Sequence, residues 1–348
     1  MIMDSSRCGL VLSSAQFISS NSKHVTICEE GVKKGAQILI NLINNWKQLN
    51  PNEVADTLKP PVDTDKELLE WIFLVSSLNF CFWSDDELFT VEVEGNTYTG
   101  YLSLIASLYR AVKIKGVRIY DPAVYGKMTL EELREIFSSC NNTEIPMIEE
   151  RLQNLHECSR VLNEKFDGSV VKLVNLAEKS AQKLVHILKD NFENYNDKST
   201  YKGKEVFFLK RAQIFVSYVK SYFKGKGYGE FHDIKTLTMF PDYRVPQILL
   251  KIGALRYSAE LRAKLDRGEH LPAGCEEEVE IRGCTVQAIE LIRRSLSSPS
   301  LVIPGTGKSL SMEERQSMPS CTIDHFFWKY AKDHGSPCPI HKTITIFY

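Results

Sequence analysis

Hydrophobic positions along the chain recur mostly at helical spacing. In "EEGVKKGAQILINLINNW", Val32, Ala36, Leu39, Ile43 and Trp46 fall on one stripe of a predicted helix. "TDKELLEWIFLVSSLNFCFW" starts at Thr64, a residue suited to capping, and then turns apolar on nearly all sides, which predicts a central helix running into the interior. "FTVEVEGNTYTGY" alternates instead and breaks at Gly95-Asn96, so a β-hairpin is expected there. Three helical segments follow from Thr129 to about Phe192: "TLEELREIFSS", "MIEERLQNLHECSRVLNEKF" and "SVVKLVNLAEKSAQKLVHILKDNF". "ENYNDKSTYKGKE" reads as a polar connection, and "VFFLKRAQIFVSYVKSYF" and "EEVEIRGCTVQAIELIRRSL" as further helices. Residues 297 to 319 are rich in Ser, Gly and Pro and read as loop, "TIDHFFWKYAKDH" as a last short helix, and "HKTITIFY" as a strand or extended tail.

No internal repeat and no long linker divides this pattern. A chain of 348 residues can bury a sizeable core, and the expectation is one mainly α globular domain over residues 1–348 with a small β-hairpin element. Lys plus Arg number 43 against 44 for Asp plus Glu, a formal charge of -1. A dedicated duplex-binding protein carries a basic surplus to neutralise phosphates, so this balance favours a small ligand over a polymer. The nine cysteines are scattered, form no C-x-x-C pair and are odd in number, as expected of free thiols in a reducing compartment. The N-terminus lacks a basic segment followed by a long apolar one, and no stretch approaches the roughly 18 apolar residues of a membrane span. A soluble protein of the cytoplasm, with the nucleus also open to it, is expected.

Several motifs invite chemistry and fail on spacing. "PGTGKS" at 304–309 lacks the first glycine of a phosphate loop, since Val302 stands in its place, and reads as a turn. "LHECSR" and "PCPIH" hold the close His/Cys groupings, but neither supplies the ligands of a zinc site, so no metal and no cofactor is expected. "NFCFWSD" sets aromatics before polar residues, either as ordinary core or as a stacking wall with Phe82 and Trp83 at its rim. "LKRAQ" puts Lys210 and Arg211 into an apolar helix, where a solvated face or an anionic ligand would account for them.

"FPDYRVPQ" is the least expected stretch. Asp242 and Arg244 lie between Pro241 and Pro246, and Pro246 suits the first turn of the helix that follows. Gly253 then permits a sharp exit before "ALRYSAEL" resumes a helical pattern, an order reminiscent of the helix-hairpin-helix unit of base-excision glycosylases. Asp242 is either half of an ion pair capping a helix or a carboxylate kept for chemistry.

"NFCFWSD", "YKGKEVFFLKRAQIFV", "LTMFPDYRVPQIL", "IGALRYSAEL", "EVEIRG", "IDHFFWKYA" and "HKTITIFY" together, in this order, resemble the queuosine salvage family, from "FISSNSKHVTI" to the last residue. That resemblance implies hydrolysis of the N-glycosidic bond of queuosine 5′-monophosphate, with release of queuine for tRNA modification. It also implies an all-α fold similar to helix-hairpin-helix DNA glycosylases and a nucleotide substrate; with the charge balance and the lack of a membrane span, no stable nucleic acid or membrane partner and a monomer are expected. Cleavage builds positive charge at C1′, which a carboxylate stabilises, and Asp242 is the residue expected there. Asp324 is expected at the guanine-like edge or the side-chain amine of the base. Phe240, Tyr243, Trp83 and Trp328 are candidate ring contacts, Lys210 the first choice for the 5′-phosphate with Arg211 and Arg244 behind it, and His24 a further pocket residue. The competing classes are a nucleic-acid base glycosylase and a non-catalytic nucleotide- or nucleic-acid-binding module of the helix-hairpin-helix type.

Overall fold

The helix Glu276–Ser295 is surrounded by other helices although its buried residues include the charged Glu278, Glu280, Arg282 and Glu290. Residues Glu278 to Val286 are buried without a break, because the helices Leu10–Asn21, Glu29–Trp46, Val245–Lys251 and Ser320–His334 pack around it. Its first turn carries Glu276, Glu277 and Glu278 and its last turn Arg293 and Arg294, which suits the helix dipole at both ends. A computed structural model describes residues 9–46, 58–298, 301, 311–334 and 338–348, the side chains of 44–46 and 332–334 being left out. Among these residues the structure is mainly helical, and no helix is long and apolar enough to cross a membrane.

The described residues group into two compact units. One gathers those of Met1–Pro51, Asp197–Gln213 and Asp233–Ile344, with Glu276–Ser295 at its centre. Val32, Ala36, Leu39 and Ile43 are buried, as their helical stripe predicts. Strand Val25–Ile27 pairs antiparallel with Leu255–Tyr257, and Lys198–Tyr201 pairs with Lys204–Phe207. Gly253 (φ 79°) makes the turn after Val245–Lys251, a backbone conformation that favours glycine. Gly31 meets that turn so closely that a Cβ there would lie 2.1 Å from the Gly253 carbonyl.

The other unit gathers Asn52–Asn196, Ile214–His232 and Thr345–Tyr348. Thr64 and Glu67 form the expected capping box for helix Asp65–Ser77. Thr90–Val93 and Asn96–Thr99 form the expected hairpin, turning at Glu94 (φ 51°) and Gly95 (φ 74°). Phe73, Phe166, Phe192, Tyr195 and Phe215 build its aromatic core.

Several expectations are corrected. The aromatics of "NFCFWSD" do not end a helix: the helix stops at Ser77, and the Arg151 guanidinium donates to the carbonyls of Leu78, Phe80 and Cys81 beyond it. "SVVKLVNLAEKSAQKLVHILKDNF" is two helices, Val170–Asn175 and Ala181–Asn191, broken where Glu178 (φ 51°) and Lys179 (φ 62°) turn left-handed and Ser180 caps the second. The polar connection "ENYNDKSTYKGKE" contains a strand, since Lys202 (φ 48°) and Gly203 (φ 76°) make a hairpin turn that the polarity of the segment conceals. "ALRYSAEL" is not continuous helix, because Leu255–Tyr257 is drawn into pairing with Val25–Ile27 before helix Ala259–Asp266 starts. Within 297 to 319, Ser311 and Glu314 form a capping box for the short helix Met312–Ser317, and "PGTGKS" lies outside the described residues. The tail is extended, with Lys342 bridged to His270.

The contact of Gly31 with Gly253 has a measurable cost. Gly31→Ala should destabilise the chain by about 1–3 kcal/mol, the range for forcing an extra methyl into a packed interior. An unchanged thermal midpoint would show that the Glu29–Trp46 helix does not rest on this turn.

Candidate active site

The segment from Leu237 to Arg244 has no regular structure, so its buried backbone groups need side-chain partners. Gln213 Oε1 accepts the Thr238 N–H at 2.8 Å, Asp324 Oδ1 accepts the Phe240 N–H at 3.2 Å, and Arg282 Nε donates to the Pro241 carbonyl at 3.2 Å. Asp242 Oδ1 accepts the N–H groups of Arg244 (2.8 Å) and Val245 (3.2 Å), which closes the entry to helix Val245–Lys251 with Pro246 in its first turn. The other Asp242 oxygen has no hydrogen-bond partner among the described residues. Capping therefore occupies one oxygen of this carboxylate and leaves the second for a ligand.

Lys210 opens helix Lys210–Tyr222, with Arg211 next to it, and both are buried. Burial disfavours the ammonium and pulls the Lys210 pKa down to about 8, with the charge of Arg211 acting the same way and those of Asp242 and Asp324 opposing. Asp324 is 7% exposed. Its pKa rises well above the carboxylate range, because it is desolvated and faces the charge of Asp242, while the Phe240 N–H and Lys210 oppose the shift. Asp242, Asp324 and Lys210 thus form one electrostatic group, in which burial pushes Asp324 toward its neutral acid and Lys210 toward its neutral amine. Trp328 lies one helical turn beyond Asp324, on the same face of Ser320–His334.

Phe240 and Tyr243 flank Asp242 and are buried. Arg244 is exposed, with its guanidinium 5.5 Å from the centre of the Tyr243 ring. It holds Asp242 through its backbone N–H rather than through its charge. His24 Nδ1 lies 3.4 Å from the Ser258 hydroxyl and Nε2 3.8 Å from Glu276, and none of its hydrogen bonds or ion pairs reaches Asp242, Asp324 or Lys210. Trp83 is buried in the other unit.

Nothing in the sequence pattern pointed to Asp197 or Arg282, yet both are nearly sealed from solvent, at 2% and 3% exposure. Arg282 Nη1 and Nη2 donate to the two Asp197 oxygens at 2.9 and 2.6 Å, and the guanidinium stacks 4.0 Å from the centre of the Phe208 ring. Arg282 lies in "EVEIRG", where two glutamates beside it make a cation look ordinary, so the sequence offered no signal for the pair.

Residues 58–348 match the family described as queuosine salvage protein. The chain belongs to the queuosine salvage family. It is similar to proteins named queuosine 5′-phosphate N-glycosylase/hydrolase. The identity is 40% to that of Bos taurus, over 96% of this chain and 97% of the relative. It is 35% to that of Schizosaccharomyces pombe, over 93% and 91%, and 37% to that of Sphaerobacter thermophilus, over 82% and 83%. The queuosine salvage match spans Lys210, Asp242, Arg282 and Asp324, whereas His24 lies before it.

The buried cations at the start of Lys210–Tyr222 suit an anion, since the helix N-terminus adds to their field. Lys210 carries its charge below about 8 and loses it above, so anion affinity should fall as pH rises through that value. Sulfate, whose own charge does not change there, is the probe, and Lys210→Arg should keep binding level across the same interval. Equal sulfate affinity in the parent on both sides of pH 8 would remove Lys210 from the anion site.

Proposed function

We propose that this chain hydrolyses the N-glycosidic bond of queuosine 5′-monophosphate and releases queuine for salvage into tRNA. Its family and the names of its relatives support that activity. The observation that carries the mechanism is the buried group of Asp242, Asp324 and Lys210. The substrate's bond to the base breaks with positive charge growing on C1′ and the ring oxygen. Asp242, through the oxygen that capping leaves open, stabilises that charge and takes a proton from the attacking water. The base is a deazapurine without N7, so the usual protonation site for purine departure is missing. Asp324, kept protonated by burial and by Asp242, meets an acceptor on the polar edge of the base as a hydrogen-bond donor. Lys210, with Arg211, takes the 5′-phosphate. Phe240, Tyr243 and Trp328 are the ring contacts in the same unit, and no metal takes part.

The finer fold reading, a likeness to helix-hairpin-helix glycosylases, rests on the order helix, Gly253 turn, helix from Val245 to Asp266, here with a strand inserted. The near-neutral charge favours a free nucleotide over a polynucleotide as substrate.

Asp242→Asn keeps the capping oxygen and loses the charge and the base. It should fold and bind nucleotide, yet release queuine about 10² to 10³ times more slowly. A variant that melts early and turns over at the parent rate would make Asp242 a cap alone. The monophosphate should be cleaved with roughly tenfold to hundredfold higher kcat/KM than the nucleoside, as one charged hydrogen bond allows. Turnover should also survive a chelator, and activity restored only by added zinc or magnesium would contradict the metal-free mechanism.

A further inference from the structure

The chain approaches Lys210 and Asp242 through one shared node. Asp197 accepts the Lys210 N–H on Oδ2 at 3.1 Å, and its carbonyl accepts the N–H groups of Phe208 (3.0 Å) and Leu209 (3.2 Å). The same carboxylate receives both prongs of Arg282, at 2.9 and 2.6 Å, and Arg282 Nε reaches the Pro241 carbonyl at 3.2 Å. A continuous path of hydrogen bonds therefore runs from the backbone of Lys210, through Asp197 and Arg282, to the residue before Asp242. Glu278 Oε1 lies 3.6 Å from Arg282 Nη1.

A second, independent observation lies at the Lys210 end of this path. Leu209, a buried bulky residue, sits at φ 50°, in a region that side chains of its kind rarely enter. Such strain persists only where the surroundings over-determine it, and it clusters where a side chain has to be aimed. Here the constraints are Asp197 on the Leu209 N–H and Gln213, whose N–H donates to the Leu209 carbonyl at 3.0 Å. Holding Leu209 in this conformation fixes the direction in which the helix, and Lys210 with it, sets out.

We propose that Asp197 and Arg282 act as a ruler: they fix the distance between the phosphate-binding Lys210 and the Asp242 carboxylate, and so make the enzyme select the 5′-monophosphate over the nucleoside. Neither residue touches the substrate; both are positioning residues. The inference rests on the reading of Lys210 as the phosphate site and Asp242 as the group at C1′. A nucleoside engages Asp242 without needing that distance. A monophosphate has to satisfy both ends at once, and a misplacement of about 1 Å costs such a substrate on the order of a hundredfold.

The test is the ratio of kcat/KM for queuosine 5′-monophosphate to that for queuosine, measured in the parent, Arg282→Lys and Asp197→Asn, each with its melting temperature. Arg282→Lys keeps a cation beside Asp197 but loses the fork and the bond to Pro241. The parent ratio, roughly tenfold to a hundredfold, should collapse toward one in both variants, chiefly through loss of activity on the monophosphate. General destabilisation lowers both activities together and leaves the ratio standing. A retained ratio in Arg282→Lys overturns the ruler while leaving the phosphate site intact. A parent that treats the two substrates alike overturns the phosphate reading itself, and the ruler with it. Loss of the fold in both variants also overturns it, because the pair then holds the unit together rather than the site.

Discussion

A charge taken out of water must be paired, or it changes its protonation state. The unit built around Glu276–Ser295 applies both solutions. Glu280, fully buried, accepts the N–H groups of Lys23, His24 and Val25 and the Tyr201 hydroxyl, which fastens the start of strand Val25–Ile27 to the central helix. Glu290 is paired with Arg293 and Arg294 and accepts the Ser320 hydroxyl. Arg282 is matched to Asp197 with both prongs. Removing one partner of such a buried pair commonly costs on the order of 3–5 kcal/mol, so these contacts constrain the arrangement of the helices even where they add little net stability.

Asp324 and Lys210 take the other route. Burial and their neighbours move them in opposite directions, Asp324 toward the neutral acid and Lys210 toward the neutral amine. His341, buried and near Arg282, is likewise pushed down to about 3 and stays neutral. What results is a site with an open carboxylate oxygen, a proton-bearing acid and a lysine that still carries charge near neutral pH. In the proposed mechanism these three groups serve the cation at C1′, the base edge and the phosphate. The irregular backbone around Asp242 belongs to the same design, since side chains from three helices satisfy groups that a helix or sheet would otherwise have paired.

The residue pattern by itself determined the helix Glu29–Trp46 with its clean stripe, the capped start of Asp65–Ser77, and the existence of the β-hairpin, whose turn falls at Glu94-Gly95, one residue before the expected Gly95-Asn96. It also singled out Lys210 and Arg211, because charge within apolar runs is costly and so marks itself in a sequence, and Asp242 by its place between two prolines, whereas Asp324 entered only with the family resemblance. Only the tertiary structure decided which of the candidates meet. Asp324 and Asp242 are 82 positions apart, and no periodicity links them. Leu255–Tyr257 reads as helix until Val25–Ile27 supplies a partner strand, since a strand this short is made by pairing and not by propensity. His24, a candidate for the pocket, and Arg244, a candidate for the phosphate, have side-chain contacts to Ser258 and Glu276 and to the Tyr243 ring that no sequence pattern shows. Asp197 and Arg282 were hidden for the converse reason: an acid in a polar stretch and an arginine in a helix are ordinary until folding buries them against each other. Composition and period record what each residue prefers, whereas pairing, desolvation and pKa depend on what the rest of the chain brings within a few ångströms.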